Sequence, residues 1–493
     1  MAGSATALAE QVLDEHGVDE HGPGAVVGGY VHGELIGVAA RGLASVELGV
    51  PLDENSVFDI ASVSKQFTVA TLLRLGADLR TPVAAALGAT GLDPGLTLGR
   101  CATHRAGIAD YLDVLTAAGR GRAETAEMDA AVELALALAG VAVPGGQPHY
   151  SNSGYLLLAA AAERLGGDRL AALLQELIFD PLGMSHSVLR DRPGAVITNL
   201  VSSYAGTGGG ELVRRDQDQA VVGDGAITTT LADLGRWLSF LDGGIGLGDG
   251  LRDVLVRRDR ADGRALSTGA GIWHLDHLGD EVIGHSGSAY GFRSFLVLDR
   301  RSGVGVAVLA NRADIAADAI AGRLLLGLTG GRPPARPTPR DPAARAVSGT
   351  WQSADGAVVT VGQSGLEVDG RARAARPVTQ GVAAADGALL GVFAERGEVS
   401  LRNHLGARIP LAPAGDRRLN PPRHRQWRAP GWGVDIVLTA EGTDLVATVG
   451  RRTHRFAQRA PGSWVADGLR ISADGSALRL SVDPGPGTTL VPA

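Results

Sequence analysis

The sequence is poor in cysteine and in lysine, with one of each in 493 residues. Cys101 has no partner for a disulfide within its own chain, which favours a reducing compartment and predicts a small buried apolar residue rather than a nucleophile. Lysine and arginine number 46 together, so 45 of these cations are arginine and only Lys65 is not. Since arginine supplies positive charge everywhere else, we expect Lys65 to serve through a property that a guanidinium lacks.

The chain also lacks an excess of positive charge and any long apolar run. Its formal net charge is −7, and its arginines are scattered, which argues against a nucleic-acid partner. No stretch is long and apolar enough to span a membrane, and MAGSATALAEQVLDEHG lacks the basic start and apolar core of a signal peptide. We therefore expect a cytoplasmic protein with neither membrane nor nucleic-acid partners. The histidines show no His-x-x-x-His spacing and no Cys-x-x-Cys occurs, so no metal or other cofactor is expected.

A stretch rich in proline and arginine, residues 332–345, divides the chain. Proline at this density disfavours helix and sheet interiors and is typical of an extended connector. Before it, helical runs such as VATLLRL and LADLGRWLSFLDGG alternate with strand-like runs such as GAVVGGYVHGELIGVAA and RSFLVLDRRSGVGVAVLAN. Residues 1–331 are therefore predicted to form an α+β domain whose terminal strands share one antiparallel sheet flanked by helices.

Beyond the connector, helical periodicity gives way to short alternating runs such as AVVTVG, VDIVLTA and ALRLSV, which predict an all-β tail. Trp351 and Trp432 each precede two such runs joined by a glycine turn. This pattern indicates two related β units, residues 346–420 and 421–493, with their joint at NPPRHR, residues 420–425.

Ser62 and Lys65 lie three residues apart in SVSKQFTVATLLRL, a run with helical spacing. Residues three apart share one face of a helix, so the hydroxyl and the amine can meet there. A serine beside a base is a nucleophile for acyl transfer. The alternative is an ordinary surface lysine on the first turn of a helix, and the spacing alone leaves both interpretations open.

Two further polar elements come later in the chain. Tyr150 and Asn152 stand in a polar loop directly before the apolar run GYLLLAAAAERLG, where a helix cap or turn is the alternative explanation. His285 and Gly287 stand in VIGHSGSAYGFRSFLVLD, where a strand is predicted. Glycine there permits a ligand to approach the backbone closely, whereas a lone histidine beside a strand edge is more often structural.

Taken in order, Ser-x-x-Lys, Tyr-x-Asn and His-x-Gly resemble the motifs of the serine β-lactamase and penicillin-binding-protein superfamily. The segments LGRCATHRAGIADY and VGDGAITTTLADLGRWLSFL are similar to two further stretches of that superfamily, and the resemblance covers residues 20–330. Within it, SVSKQFT, Cys101, the His-x-Gly variant and the long β tail resemble the bacterial D-aminopeptidases. The resemblance implies an α/β sandwich domain followed by two eight-stranded antiparallel barrels, and a homodimer.

The resemblance also implies roles for the first two motifs. Ser62 is the expected nucleophile, which forms an acyl-enzyme that water then hydrolyses. Lys65 or Tyr150 takes the serine proton, and the choice between them stays open. Asn152 is expected to orient Lys65 and the substrate amide.

For the last motif, the resemblance places the oxyanion hole at the backbone N–H groups of Ser62 and Ser288, beside Gly287. His285 is expected to line the pocket and assist proton transfer. Histidine replaces a lysine that helps hold a substrate carboxylate in lactamases, and it is only partly charged at neutral pH. Penicillin hydrolysis is therefore disfavoured, and the leading hypothesis is a cytoplasmic exopeptidase that releases N-terminal D-residues, such as D-Ala, from short peptides or amides.

Two other hypotheses stay open. One is an esterase or amidase with the same machinery, because no residue in the sequence identifies an anchor for a free α-amine. The other is a non-catalytic ligand-binding or interaction protein on the same fold, with the tail as its binding part. The intact set of motif residues argues against this second alternative.

Overall fold

The structure is a computed structural model. It describes residues 2–331 apart from 121–126, 143, 145, 207–210, 216–219 and 262, and in the tail it describes the strands together with residues 347, 362, 432, 450 and 451. The predicted connector at 332–345 and the predicted joint at 420–425 lie outside the described residues. Both domain boundaries therefore stay predictions.

The helices of the described residues lie before the connector. In chain order they are α1 (Ala2–Glu15), α2 (Lys65–Arg74), α3 (Val83–Leu87), α4 (Leu98–Ala102), α5 (Tyr111–Ala117), α6 (Met128–Ala139), α7 (Asn152–Gly166), α8 (Leu170–Leu174), α9 (Asp180–Leu182), α10 (Leu231–Gly243), α11 (Asp249–Leu255) and α12 (Ala317–Leu328). A 3₁₀ turn, Ala61–Ser64, leads directly into α2. The helical runs identified in the sequence lie in α2, α7 and α10, as predicted.

The strands of the same region are mostly short. In chain order they are β1 (Ala25–Val31), β2 (Glu34–Arg41), β3 (Leu43–Ser45), β4 (Val50–Pro51), β5 (Phe58–Asp59), β6 (Val188–Leu189), β7 (Ser203–Gly206), β8 (Leu212–Arg215), β9 (Ile227–Thr229), β10 (Arg260–Ala261), β11 (Arg264–Ala265), β12 (Trp273–His274), β13 (Val282–Ala289), β14 (Phe292–Asp299) and β15 (Val304–Ala310).

One antiparallel sheet organises this region, with the strand order β12-β13-β14-β15-β1-β2. The terminal strands are neighbours, since Ala25 of β1 lies opposite Ala310 of β15. The central strands are apolar on both faces, so each face needs a helical layer. Val12 of α1 and Leu324 of α12 pack on one face, and the larger core that includes α2, α7 and α10 packs on the other. The predicted α+β sandwich is confirmed.

The tail is all-β, as predicted, and forms two closed antiparallel barrels of eight strands. The first contains β16 (Gly349–Ser353), β17 (Val358–Val361), β18 (Gly365–Val368), β19 (Arg371–Val378), β20 (Gly381–Ala384), β21 (Gly391–Glu395), β22 (Glu398–Arg402) and β23 (Arg408–Pro413). The second contains β24 (Gln426–Ala429), β25 (Val434–Glu441), β26 (Asp444–Val449), β27 (Arg452–Ala460), β28 (Ser463–Ala466), β29 (Leu469–Asp474), β30 (Ala477–Val482) and β31 (Thr488–Pro492).

The two barrels close in the same way. Trp351 of β16 lies opposite Pro413 of β23, and Trp427 of β24 lies opposite Pro492 of β31. By strand pairing, the tryptophan equivalent to Trp351 is therefore Trp427. Trp432 follows β24 and precedes β25 and β26, so it does stand before two strands, as the sequence indicates.

The second barrel contacts the α+β region at the end of α5. The Nε2–H group of His454 donates to the carbonyl of Ala117 at 2.9 Å, and the backbone N–H of Arg451 donates to the carbonyl of Ala118 at 3.0 Å. Carbonyl groups at a helix C-terminus have no partner within the helix. The barrel therefore satisfies acceptors that α5 leaves open.

The residues that the structure describes contain neither a membrane-spanning helix nor a cluster of metal ligands. Within them, no helix is long and apolar enough to cross a membrane. The same residues contain no group of three histidine, cysteine, aspartate or glutamate side chains placed to hold a metal ion. The absence of a metal, like the expected homodimer, stays a prediction.

Candidate active site

Ser62 and Lys65 meet at the start of α2. The 3₁₀ turn Ala61–Ser64 carries the serine, and α2 begins at the lysine. The Nζ of Lys65 lies 3.0 Å from the Oγ of Ser62, and the lysine is fully buried. Lys65 is thus not an ordinary surface lysine, and this alternative from the sequence is wrong.

The turn that carries Ser62 is strained. Ala61 has φ +47°, a left-handed conformation that costs free energy for a residue with a Cβ. The carboxylate of Asp59 accepts the N–H of Ala61 at 2.7 Å and holds this turn. Burial raises the pKa of Asp59 to about 6, against the opposing effects of that hydrogen bond and of Arg190. Ser62, the next residue, is half-buried.

The amine of Lys65 is held by three oxygen atoms. Besides Ser62, it donates to Oδ1 of Asn152 at 2.7 Å and to the backbone carbonyl of Asp224 at 2.6 Å. Burial lowers the pKa of Lys65 to about 8, while the carboxylates of Asp224 and Asp110 oppose the decrease. A substantial fraction of this amine is therefore neutral near physiological pH and can accept a proton.

Asn152 is oriented by Asp110, the N-cap residue of α5. One carboxylate oxygen of Asp110 accepts both the backbone N–H and the side-chain amide N–H of Asn152, each at 2.7 Å. The other accepts the N–H of Leu112 at 2.8 Å. Burial raises the pKa of Asp110, and these backbone hydrogen bonds oppose the rise. Since the amide nitrogen of Asn152 faces Asp110, its oxygen faces Lys65.

Tyr150 lies close to both Ser62 and Lys65. Its hydroxyl group forms a hydrogen bond with that of Ser62, and burial raises its pKa above the ordinary value. Its ring centroid lies 5.0 Å from the Lys65 amine. A tyrosine with a raised pKa is protonated at neutral pH, so it can accept the serine proton only if its own proton moves on. Lys65 is the nearby group with a lowered pKa that can take part in such a transfer.

The last motif lies on β13 and is only partly accessible. His285 is fully buried, donates from Nδ1 to the carbonyl of Ser286 at 2.6 Å, and stacks on Trp273 with ring centroids 4.0 Å apart. Its ring centroid lies 6.4 Å from that of Tyr150. The structure therefore brings His285 beside the site, and its direct contact with a substrate stays a prediction.

Gly287 lies against the turn that carries the nucleophile. A Cβ at this position would stand 2.2 Å from the carbonyl oxygen of Ile60 and 2.2 Å from Oγ of Ser294. The turn that precedes Ser62 thus approaches this glycine closely. Whether a ligand also approaches its backbone stays a prediction. Ser288, the next residue, is exposed. The use of its backbone N–H in an oxyanion hole stays a prediction.

Cys101 is buried, as predicted, and burial raises the pKa of its thiol to about 12. It lies at 1% exposure in the core beside Gly154 of α7. A thiol that holds its proton so firmly is a poor nucleophile.

Three residues that the sequence analysis did not select help to build the site. They are Asp110 and Asp224, already described, and His104, which stacks on Tyr150 with ring centroids 4.4 Å apart. His104 and Asp110 stand in LGRCATHRAGIADY, and Asp224 stands in VGDGAITTT, the two supporting segments of the resemblance. That was the signal available, although it did not indicate which residues of each segment reach the site.

Comparison with known proteins identifies the family of the chain. The model of the family described as Beta-lactamase matches residues 9–330. The chain belongs to this family. Its match covers all the residues of the candidate site and ends just before the predicted connector, so the barrels of the tail lie outside it.

Individual proteins give a finer comparison. A D-aminopeptidase of Cereibacter sphaeroides is 28% identical over 326 residues, which cover 64% of this chain and 62% of the relative. The chain thus aligns with less than two thirds of that protein. The octameric penicillin-binding protein homologue from Pyrococcus abyssi matches 99% of both chains with a TM-score of 0.59 and 16% identity. The D-amino acid amidase from Ochrobactrum anthropi SV3 matches 66% of this chain with a TM-score of 0.54 and 20% identity. These two structures share the fold.

Proposed function

We propose that the chain is a serine hydrolase that works through an acyl-enzyme on Ser62, and that it releases N-terminal D-residues such as D-Ala from short peptides or amides. The observation that carries the proposal is the buried amine of Lys65, 3.0 Å from the Ser62 hydroxyl. A lysine with a pKa lowered to about 8 activates a serine in a way that a surface lysine does not.

The reaction follows from these positions. Oγ of Ser62 attacks the substrate carbonyl carbon while its proton passes to Tyr150 or directly to Lys65. The tetrahedral intermediate collapses as the same groups return a proton to the leaving amine. Water then attacks the acyl-enzyme and releases the amino acid, restoring the serine. Asn152 keeps Lys65 in place throughout, because Asp110 fixes its amide.

The charge of the site favours a substrate with a free α-ammonium group. Two carboxylates, Asp110 and Asp224, act on the Lys65 amine, and both also raise the pKa of Tyr150. Asp224 is half-buried beside the site, and its Oδ2 accepts the Tyr111 hydroxyl at 3.2 Å. We therefore propose Asp224 as the anchor for the ammonium group. This addresses the lack of an anchor that left an esterase open as an alternative.

The preference for D-residues rests on relatives. A D-aminopeptidase is 28% identical to the chain, and a D-amino acid amidase shares its fold. Since the alignment spans 62% of that D-aminopeptidase, the preference belongs to the proposal.

The test is a substrate panel of D-Ala-p-nitroanilide, L-Ala-p-nitroanilide, N-acetyl-D-Ala-p-nitroanilide and p-nitrophenyl butyrate. The proposal expects fast turnover of the first alone among the anilides, and its loss in Ser62→Ala. Turnover of the butyrate with none of the free D-anilide would instead favour an esterase. Turnover that persists in Ser62→Ala would contradict the assigned nucleophile.

A further inference from the structure

His104 occupies an unusual backbone position next to the candidate base. It follows α4, has φ +56°, and is 2% exposed. Residues other than glycine are uncommon at positive φ, although histidine is among those enriched there. Such a conformation persists where surrounding contacts fix it, and it concentrates at functional sites.

The backbone on both sides of Tyr150 is tied to this one residue. The N–H of His149 donates to the carbonyl of His104 at 2.8 Å, and the N–H of Ser151 donates to its Nδ1 at 3.1 Å. A ring nitrogen that accepts a hydrogen bond carries no proton, so His104 is in the tautomer protonated at Nε2. The residues that flank Tyr150 are thereby held by two different groups of His104.

The His104 ring also holds the Tyr150 ring itself. The two rings stack with centroids 4.4 Å apart and planes 27° apart. The opposite support comes from Trp273, whose ring meets that of Tyr150 edge-on at 6.3 Å. Tyr155 supports His104 in turn at 5.1 Å. Both the backbone and the ring of Tyr150 are thus restrained by His104.

We infer that His104 is the positioning residue for Tyr150. The carbonyl, the Nδ1 atom and the ring of His104 together hold Tyr150 so that the tyrosine hydroxyl faces Ser62. The inference rests on the proposed function, in which Tyr150 takes part in proton transfer from Ser62. Asn152 is fixed separately by Asp110. The effect of His104 on the reaction therefore passes through Tyr150.

The experiment is a double-mutant cycle on His104→Gly and Tyr150→Phe. Its readout is the rate at which a fluorophosphonate labels Ser62, followed by intact-protein mass spectrometry. In this step the serine oxygen bonds to phosphorus, fluoride leaves and the serine proton passes to the base, so no particular peptide substrate is needed. Glycine accepts the left-handed backbone and removes all side-chain contacts.

We expect His104→Gly to slow labelling about 10²-fold, the scale of a misplaced reacting group, and Tyr150→Phe about 10² to 10⁴-fold. The double variant should be no more than about 3-fold slower than Tyr150→Phe alone, because His104 acts through the tyrosine. His104→Asn keeps a short acceptor and tolerates positive φ, so it should recover part of the loss.

The matched control is His32→Gly. His32 is another histidine in the left-handed region, with φ +51°, and its side chain is 68% exposed in the turn between β1 and β2. We expect it to label at a rate within about 2-fold of the wild type, as is usual for an exposed substitution. Thermal unfolding of all variants reports their folding, and His104→Asn replaces His104→Gly in the cycle if the latter fails to fold.

The outcomes separate the two claims. The inference about His104 is overturned if the losses in labelling rate multiply in the double variant, or if His104→Asn labels no faster than His104→Gly. Either outcome leaves the proposed function intact. A Tyr150→Phe variant that labels at the wild-type rate overturns the role of Tyr150 in the proposed mechanism, and the inference falls with it.

Discussion

A single carboxylate oxygen of Asp110 accepts both the main-chain and the side-chain N–H groups of Asn152, at 2.7 Å each. This pairing decides which way the asparagine amide points. Its nitrogen faces Asp110, so its oxygen faces the Lys65 amine at 2.7 Å. Asp110 thus positions a hydrogen-bond acceptor of the Lys65 amine by orienting Asn152.

Asp110→Asn tests this arrangement. An amide in place of the carboxylate weakens the hold on Asn152 and removes a negative charge that raises the pKa of Lys65. We expect kcat to fall about 10- to 100-fold, and the rise of activity with pH, centred near the Lys65 pKa of about 8, to shift to lower pH. Asp113→Asn, an exposed carboxylate on the same helix, is the control. An unshifted pH profile would argue against electrostatic coupling of Asp110 to Lys65.

Local spacing made half of this site predictable. Ser62 and Lys65 meet because residues three apart share a helix face, and Tyr150 and Asn152 flank the start of α7. The other half depends on contacts between distant segments. Asp110 and Asn152 are 42 residues apart, and Lys65 and the Asp224 carbonyl are 159 apart. No periodicity in one sequence encodes such pairs, because the tertiary fold alone brings them together.

In the tail, too, the sequence predicted local structure but not the pairing of distant segments. Alternation of apolar residues predicted its strands, whose side chains repeat with period two. The barrel closure and the equivalence of Trp351 and Trp427 depend on pairing between first and last strands, which the alternation does not specify.

Asp224→Asn tests the ammonium anchor. The amide keeps an oxygen for the Tyr111 hydroxyl and loses the negative charge. We expect KM for D-Ala-p-nitroanilide to rise about 10-fold or more, on the scale of a lost charged hydrogen bond, and the effect on p-nitrophenyl butyrate to be several-fold smaller. Asp249→Asn, in an exposed position of α11, is the control. Equal losses on both substrates would contradict the anchor and indicate a general effect on the site.

The free energy of unfolding should depend on pH because Lys65 is buried. Its pKa is about 8 in the folded chain and 10.5 in a solvated lysine. Between these two pKa values the unfolded chain binds more protons than the folded chain, so the free energy of unfolding rises with pH. Below this window, the folded chain carries the full cost of burying a charged lysine. Relative to Lys65→Met, the wild type should gain on the order of 3 kcal/mol from about pH 7 to about pH 10.5. Urea unfolding of both proteins measures this difference, and parallel curves would contradict the lowered pKa.

Gly287→Ala tests the contact between β13 and the turn before Ser62. A Cβ there would overlap the Ile60 carbonyl and Oγ of Ser294, both 2.2 Å away. We expect a loss of about 1–3 kcal/mol of stability from overpacking, together with slower acylation, because the turn carries the nucleophile. Gly250→Ala in α11, where a Cβ meets no atom within 4 Å, is the control. Normal acylation in Gly287→Ala would show that the turn tolerates displacement.

The most direct test of the account is acylation of Ser62 in Lys65→Arg. Arginine keeps the positive charge and most of the length, but a guanidinium does not give up its proton near neutral pH. Intact-protein mass spectrometry with a D-aminoacyl anilide, beside kcat, measures the step directly. We predict a folded variant whose acylation is slower by about 10² to 10⁴-fold, the scale of losing a positioned base. Acylation at the wild-type rate would contradict both the role of Lys65 and the reason given for the single lysine of this sequence.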